Sequence, residues 1–195
     1  MDFKIPVISV IGNKDSGKTS VMEALIKAFS NNGFKVATAK HVSQKNFLID
    51  RKKTDTSRFY LAGSKLVMGI SKSELFLLDR IEDDEFSLDF LHGYVKDVDL
   101  LLLEGFSKYI AKEPAIGKIV CVKKKEEIKK FEKGLFGEIL AYCSLNPIDD
   151  RRIYSINKDG KRLFELTKKF VQGNHWSKKI FECKNFANIF SLKIN

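Results

Sequence analysis

Gly12-Asn13-Lys14-Asp15-Ser16-Gly17-Lys18-Thr19 decides the reading of this chain. The stretch fits the pattern Gly-x-x-x-x-Gly-Lys-Ser/Thr in full. Its glycines let backbone N–H groups turn inward around phosphate oxygens. Lys18 is the expected cation for the β and γ phosphates, and the Thr19 hydroxyl the expected magnesium ligand. Ser20 continues the site into the following helix. The context fits the mechanism. Residues 5–11 are an apolar, β-branched run that reads as a buried strand. Residues 18–30 carry Val21, Met22, Ala24, Leu25, Ala28 and Phe29 at helical spacing. The positive end of that helix faces the bound anion. Asn31-Asn32-Gly33 stops it, and residues 34–39 read as a second strand. Residues 5–39 are thus one β-α-β unit.

Outward from there, strands alternate with helices. Residues 55–62 read as a short helix closed by Gly63. Residues 65–70 and 74–78 read as two strands joined by a tight turn, an antiparallel pair. The acidic run 82–85 suits the start of a helix reaching about His92. Residues 98–103 are the most hydrophobic strand, and 116–122 another. Residues 126–142 read as a helix, with Gly134 and Gly137 as weak points. Residues 152–156 read as a last strand, and Asn157 as the cap of a helix stopped by Gly173. The predicted fold is an α/β sandwich with a mostly parallel sheet, helices on its flanks and an antiparallel hairpin at 65–78. Residues 1–173 form the expected nucleotide-binding domain. Residues 174–195 form an apolar tail, expected to dock on the core or on a partner subunit.

Composition narrows the class. No uncharged apolar run, residues 100–103 among them, approaches the roughly 18 residues of a membrane helix. The residues after Met1 lack the build of a signal peptide, so the expected location is the cytoplasm, with no membrane partner. Cys121, Cys143 and Cys183 have no Cys-x-x-Cys spacing and read as small buried or half-buried residues. The net charge of +10 is uneven. Lys and Arg number 15 against 15 Asp and Glu in residues 1–106, and 20 against 10 in residues 107–195. Such a field favours anionic partners, or is simply a solvated lysine-rich surface. No aromatic-interleaved basic stretch accompanies it, which argues against nucleic acid.

Ligands of parallel sheets bind at the carboxyl ends of the strands. Three polar segments follow strand ends and should converge there: 12–19, Lys40-His41 and Glu104-Gly105. Glu104 ends an apolar strand and is the expected carboxylate near the metal, directly or through water. Asp99 starts the same strand, roughly 16 Å away, and reads as a solvated residue. Lys40 reads as a contact for the γ phosphate or a pyrophosphate, or as a solvated strand end. Asp55 reads as a carboxylate behind the metal or as a charge at a helix start. Arg58 either touches phosphate or pairs with Asp55. Asn157-Lys158-Asp159-Gly160 misses the Asn-Lys-x-Asp guanine signature at its last position.

Four segments together resemble the molybdopterin-guanine dinucleotide biosynthesis protein B (MobB) family, whose members are P-loop GTP-binding accessory proteins of molybdenum or tungsten cofactor synthesis. They are 12–19 with Lys14 and Ser16, Lys40-His41, Asp55-Thr56-x-Arg58 with Ala62-Gly63, and Glu104-Gly105-Phe106 followed by Lys118-Ile119-Val120. Order and spacing agree over about residues 5–122. Val42, Ser43 and Gln44 stand where the family commonly has further histidines. The resemblance implies GTP and Mg²⁺ as ligands. Gly12, Asn13, Lys14, Asp15, Ser16, Gly17, Lys18, Thr19, Ser20, Lys40 and His41 would hold the nucleotide, and Thr19, Glu104 and Asp55 the metal. It also implies weak GTP hydrolysis at most, a homodimer, and a molybdopterin guanylyltransferase or molybdoenzyme as partner. The residues alone leave two other readings open, a small-molecule kinase and a nucleic-acid-associated ATPase.

Overall fold

The computed structural model describes residues 4–42, 54–81 and 86–173. In chain order the elements are β1 (Val7–Gly12), α1 (Lys18–Asn31), β2 (Val36–Lys40), α2 (Asp55–Leu61), β3 (Leu66–Ile70), β4 (Leu75–Asp79), a 3-10 helix (Leu88–Gly93), β5 (Leu100–Glu104), α3 (Ser107–Ile110), β6 (Gly117–Cys121), α4 (Glu127–Gly134), β7 (Ile139–Ser144), β8 (Ile153–Ser155) and α5 (Ile156–Gly173). They divide into two compact units, one formed by residues up to 41 and from 91 onward, the other by residues 42–90.

The first unit is built on a six-stranded sheet in the order β2-β5-β1-β6-β7-β8. Every pairing in it is parallel. A strand covered on both faces has no reason to alternate polar and apolar residues. β5 shows this directly, since all five of its residues are buried. Ile8, Val10, Leu100, Leu102, Ile119 and Cys121 pack with Val21, Leu25 and Phe29 of α1 and Leu163 and Phe164 of α5. Phe29 is the hinge of this layer, meeting Phe34 and Phe164 edge to face at 5.3 and 5.0 Å. Burial of each such side chain contributes about 1.5–3 kcal/mol. The sheet is therefore a rigid base for the loops at its carboxyl edge.

The second unit holds α2 and the antiparallel pair β3–β4, as the alternation predicts. The Thr54 hydroxyl caps α2 by accepting the Ser57 N–H at 3.2 Å. The Phe76 ring lies across Gly69, its cross-strand partner. Arg80 donates to the carbonyls of Ser64 and Tyr60 and sits 3.9 Å over the Tyr60 ring.

Four expectations need correction or completion. Residues 126–142 are not one helix: α4 ends at Gly134 and β7 begins at Ile139. Gly137 takes φ 82° against the Pro114 backbone, a conformation no helix continues through. The apolar run Ile139-Leu140-Ala141-Tyr142-Cys143 then joins the sheet between β6 and β8. Asp99 is not merely solvated, since its carboxylate accepts the Lys35 N–H at 2.7 Å and ties the start of β5 to that of β2. Asn157 is not the cap of α5. The helix starts at Ile156, and Asp159 in its first turn reaches back to accept the Ser155 N–H at 2.9 Å. The helix expected up to His92 is a 3-10 turn, Leu88–Gly93, and residues 82–85 lie outside the described residues. So do Cys183 and the apolar tail.

Candidate phosphate and metal site

The loop between β1 and α1 has the backbone that phosphate binding needs. Gly12, Asp15 and Gly17 take positive φ of 150°, 56° and 90°. At Gly12 a side chain has no room: a Cβ would overlap the Cys121 carbonyl and come within 2.6 Å of Ser16 Oγ. Ser16 Oγ is buried, with no hydrogen-bond partner among the described residues. Below the loop, burial pushes the Cys121 thiol up to about 12, with the nearby Lys18 charge pulling the other way. Cys121 therefore supports the loop as a neutral residue. Asn13 is braced from α4: its Nδ2 donates to Glu127 Oε1 at 2.9 Å, and Glu127 Oε2 accepts the Lys123 N–H at 2.8 Å. Lys18 Nζ donates to the Asn13 carbonyl at 2.7 Å, which holds the ammonium over the loop.

Thr19 and Glu104 meet although 85 residues separate them in sequence. The Thr19 hydroxyl lies 3.2 Å from both carboxylate oxygens of Glu104. Lys40 Nζ pairs with Glu104 Oε1 at 2.8 Å. Strand register causes this, since Lys40 and Val10 both sit opposite Glu104 in the ladder. The Glu104 side chain is nearly buried and that of Lys40 half exposed, so the pair combines a shielded carboxylate with a solvated cation. These residues line a cleft of about 440 Å³ with Lys14, Asp15, Ser16, Gly17, Ser20 and Leu145.

The expected convergence of three strand-end segments is thus found within the first unit. His41 differs in detail: its N–H bonds the Glu104 carbonyl at 2.9 Å, while its ring packs on Phe106 and Tyr109 at 5.4 and 5.7 Å between centroids. It does not line the cleft. Asp55 belongs to the second unit, where it pairs with Arg58 at 3.1 Å on the exposed face of α2. Among the described residues no three His, Cys, Asp or Glu side chains gather as a metal cluster. Leu145 and Glu127 were missed by sequence reasoning. Both lie in or beside the stretch read as one helix; a strand ending at Ser144 would have put Leu145 on the ligand edge.

No helix among the described residues is long and apolar enough to cross a membrane. The family model for "Molybdopterin guanine dinucleotide synthesis protein B" matches residues 7–142, more than half of the chain. A curated relative from Methanocaldococcus jannaschii is 38% identical over 121 residues, 62% of this chain and 48% of its own length. The chain therefore spans about half the length of that relative. A molybdopterin-guanine dinucleotide biosynthesis adapter protein from Haemophilus influenzae is 29% identical over 81% of this chain and 85% of its own. A crystal structure of molybdopterin-guanine biosynthesis protein B superposes with a TM-score of 0.63 at 27% identity, covering 85% of this chain and 99% of that one. A six-stranded parallel sheet carrying a Gly12–Thr19 loop, a Lys40–Glu104 edge and this span of matched sequence place the chain in the MobB family.

Proposed function

We propose that the chain is a Mg²⁺·GTP-binding accessory protein of molybdopterin guanine dinucleotide synthesis, with slow hydrolysis at most. The observation that carries this reading is the approach of Thr19 Oγ1 to both Glu104 oxygens, beside a loop whose Gly12 and Gly17 take positive φ. A magnesium ion bound with phosphates takes one or two protein oxygens and completes its shell with phosphate oxygens and water. A hydroxyl and a buried carboxylate at the head of α1 fit that need. When bound, the ion neutralises phosphate charge. Lys18 exchanges the Asn13 carbonyl for phosphate oxygens, and the N-terminus of α1 faces the same anion. Lys40, half exposed, is free to turn from Glu104 toward the terminal phosphate. Asp55 enters the metal site only on the family resemblance.

The same geometry supports the slow turnover proposed. Glu104 is already engaged by Lys40 and Thr19, which leaves its carboxylate less available as a general base. The kinase alternative needs arginines that close on the phosphates. Arg58 and Arg80 are instead held locally, by Asp55 and by the Ser64 and Tyr60 carbonyls.

Guanine preference and the guanylyltransferase or molybdoenzyme partner are proposed from family membership. The homodimer is proposed from the same source, and the apolar surface of the β3–β4 hairpin supports it. The test is competition of GTP and ATP for the Mg²⁺-loaded cleft, followed by titration calorimetry. Tighter GTP binding is expected. Equal binding would favour the kinase reading, and tighter ATP binding would refute the guanine assignment.

A further inference from the structure

Leu145 is a residue of the cleft that phosphate chemistry does not use. It follows β7, and its side chain lies on Gly17: a Cβ there would come within 2.6 Å of Leu145 Cγ and 2.9 Å of Cδ2. It stays 37% exposed, an apolar side chain at the lip of a cleft whose other lining residues are polar, charged or glycine. An apolar side chain at the mouth of a polar cleft is placed to meet the apolar part of a ligand that enters it.

The sheet order gives the cleft a direction. Glu104 and Lys40 end β5 and β2, on one side of β1, and Leu145 follows β7 on the other. β5 and β7 are three strand spacings apart, about 14 Å. Thr19 faces Glu104, so the metal and the terminal phosphate belong over β5. The opposite end of a nucleotide must then leave the loop past Gly17, toward Leu145.

The turn that carries Leu145 is fixed on both sides. Its carbonyl accepts Asn157 Nδ2 at 3.3 Å, and Ser144 Oγ donates to the Asn146 carbonyl at 2.6 Å. Asp159, the acidic residue of the Asn157–Gly160 stretch, is occupied by the Ser155 N–H at 2.9 Å. Leu145 is the residue of this turn that lines the cleft, and the contact it offers is apolar.

We propose that Leu145 is the nucleoside wall of the cleft, packing on the ribose and base of a nucleoside triphosphate whose phosphates occupy the 12–19 loop. The proposal deepens the nucleotide reading above and rests on it. Leu145 supplies affinity for the nucleoside without discriminating between bases, because an apolar contact has no donor or acceptor pattern to match.

The test compares Mg²⁺·GTP with Mg²⁺·tripolyphosphate, the same charge without the nucleoside. In the wild-type protein GTP is expected to bind more tightly. Leu145→Ser is expected to weaken GTP about tenfold, as loss of an apolar side-chain contact does, and to leave tripolyphosphate within about twofold. Leu145→Met, which keeps the apolar contact, is expected to hold GTP within about twofold of wild type. Equal wild-type affinities for the two ligands would overturn the proposal alone, without any variant. A Leu145→Ser protein that loses both ligands equally would make Leu145 a support of Gly17 and overturn it as well. Failure of the wild-type chain to bind either ligand would remove the phosphate reading and this one together.

Discussion

β5 and the β3–β4 hairpin are equally apolar in sequence and opposite in what they do with it. Leu100–Leu103 of β5 are all at 0% exposure, between β2 and β1 and under α1. In the hairpin, Met68 is 58% exposed, Ile70 78% and Leu75 61%, with Leu66, Phe76 and Leu77 also open. Leucine, the commonest residue of both segments, favours helix, so both are strands through their ladder pairing and context rather than intrinsic preference. Only the first finds two neighbours and a helix layer within its own unit. A two-stranded ribbon has too few partners to bury its faces and leaves an apolar surface for something else to cover. The comparison separates a unit that makes the site rigid from one that leaves apolar surface exposed.

The largest effect expected from this contrast is on stability. Phe29→Ala should destabilise the first unit by about 3–5 kcal/mol in urea unfolding, because the ring joins α1, α5 and the chain entering β2. The matching Ile70→Ala change should cost no more than about 0.5 kcal/mol at low protein concentration. A large cost at Ile70 would break the comparison and show that the hairpin is covered. If that cost grew with protein concentration, the cover would be a second copy of the chain.

The second prediction concerns the two carboxylates of the β5 strand. Glu104→Gln should weaken Mg²⁺-dependent nucleotide binding about tenfold or more. Asp99→Asn should leave it within about twofold, because Asp99 ties β5 to Lys35 at the far edge of the sheet. A larger loss at Asp99 in folded protein would contradict the direction assigned to the sheet.

The smallest effect is chemical. The Cys121 thiol is raised to about 12 and that of Cys143 also lies well above its ordinary value, both through burial. Neither should be alkylated at pH 8 in native protein, by peptide mapping, and both should react after unfolding. The sign of the pH effect is fixed as well. A thiol harder to ionise in the fold than in the unfolded chain leaves stability unchanged at neutral pH and lowers it as pH rises from the ordinary thiol range toward 12.

Sequence reading went furthest where chemistry and periodicity agree. The 12–19 loop was legible because each position has a chemical job and the flanking run and helix are continuous. Glu104 was legible because an apolar strand ended in a single charge. The pairing of Glu104 with Lys40 was not, since it depends on β2 lying beside β5, a property of sheet order. β7 was hidden because the run from Ile139 follows α4 after only four residues, and an apolar run of five fits a helix turn as well as a strand. That one error removed the whole Leu145 edge from view. His41 reads as polar, yet its ring is engaged by Phe106 and Tyr109, a contact set by the left-handed backbone at Phe106, φ 60°.

The central claim is that residues 12–19 hold nucleotide phosphates, and titration calorimetry of Mg²⁺·GTP into wild-type and Lys18→Ala proteins tests it most directly. Among the described residues Lys18 hydrogen-bonds its own loop and is not part of the buried core cluster, so the variant should keep the wild-type unfolding curve. The account predicts saturable binding by the wild-type protein and a loss of at least about a hundredfold in the variant, the effect of removing the cation from a phosphate site. A folded Lys18→Ala protein that binds Mg²⁺·GTP as tightly as wild type would contradict it.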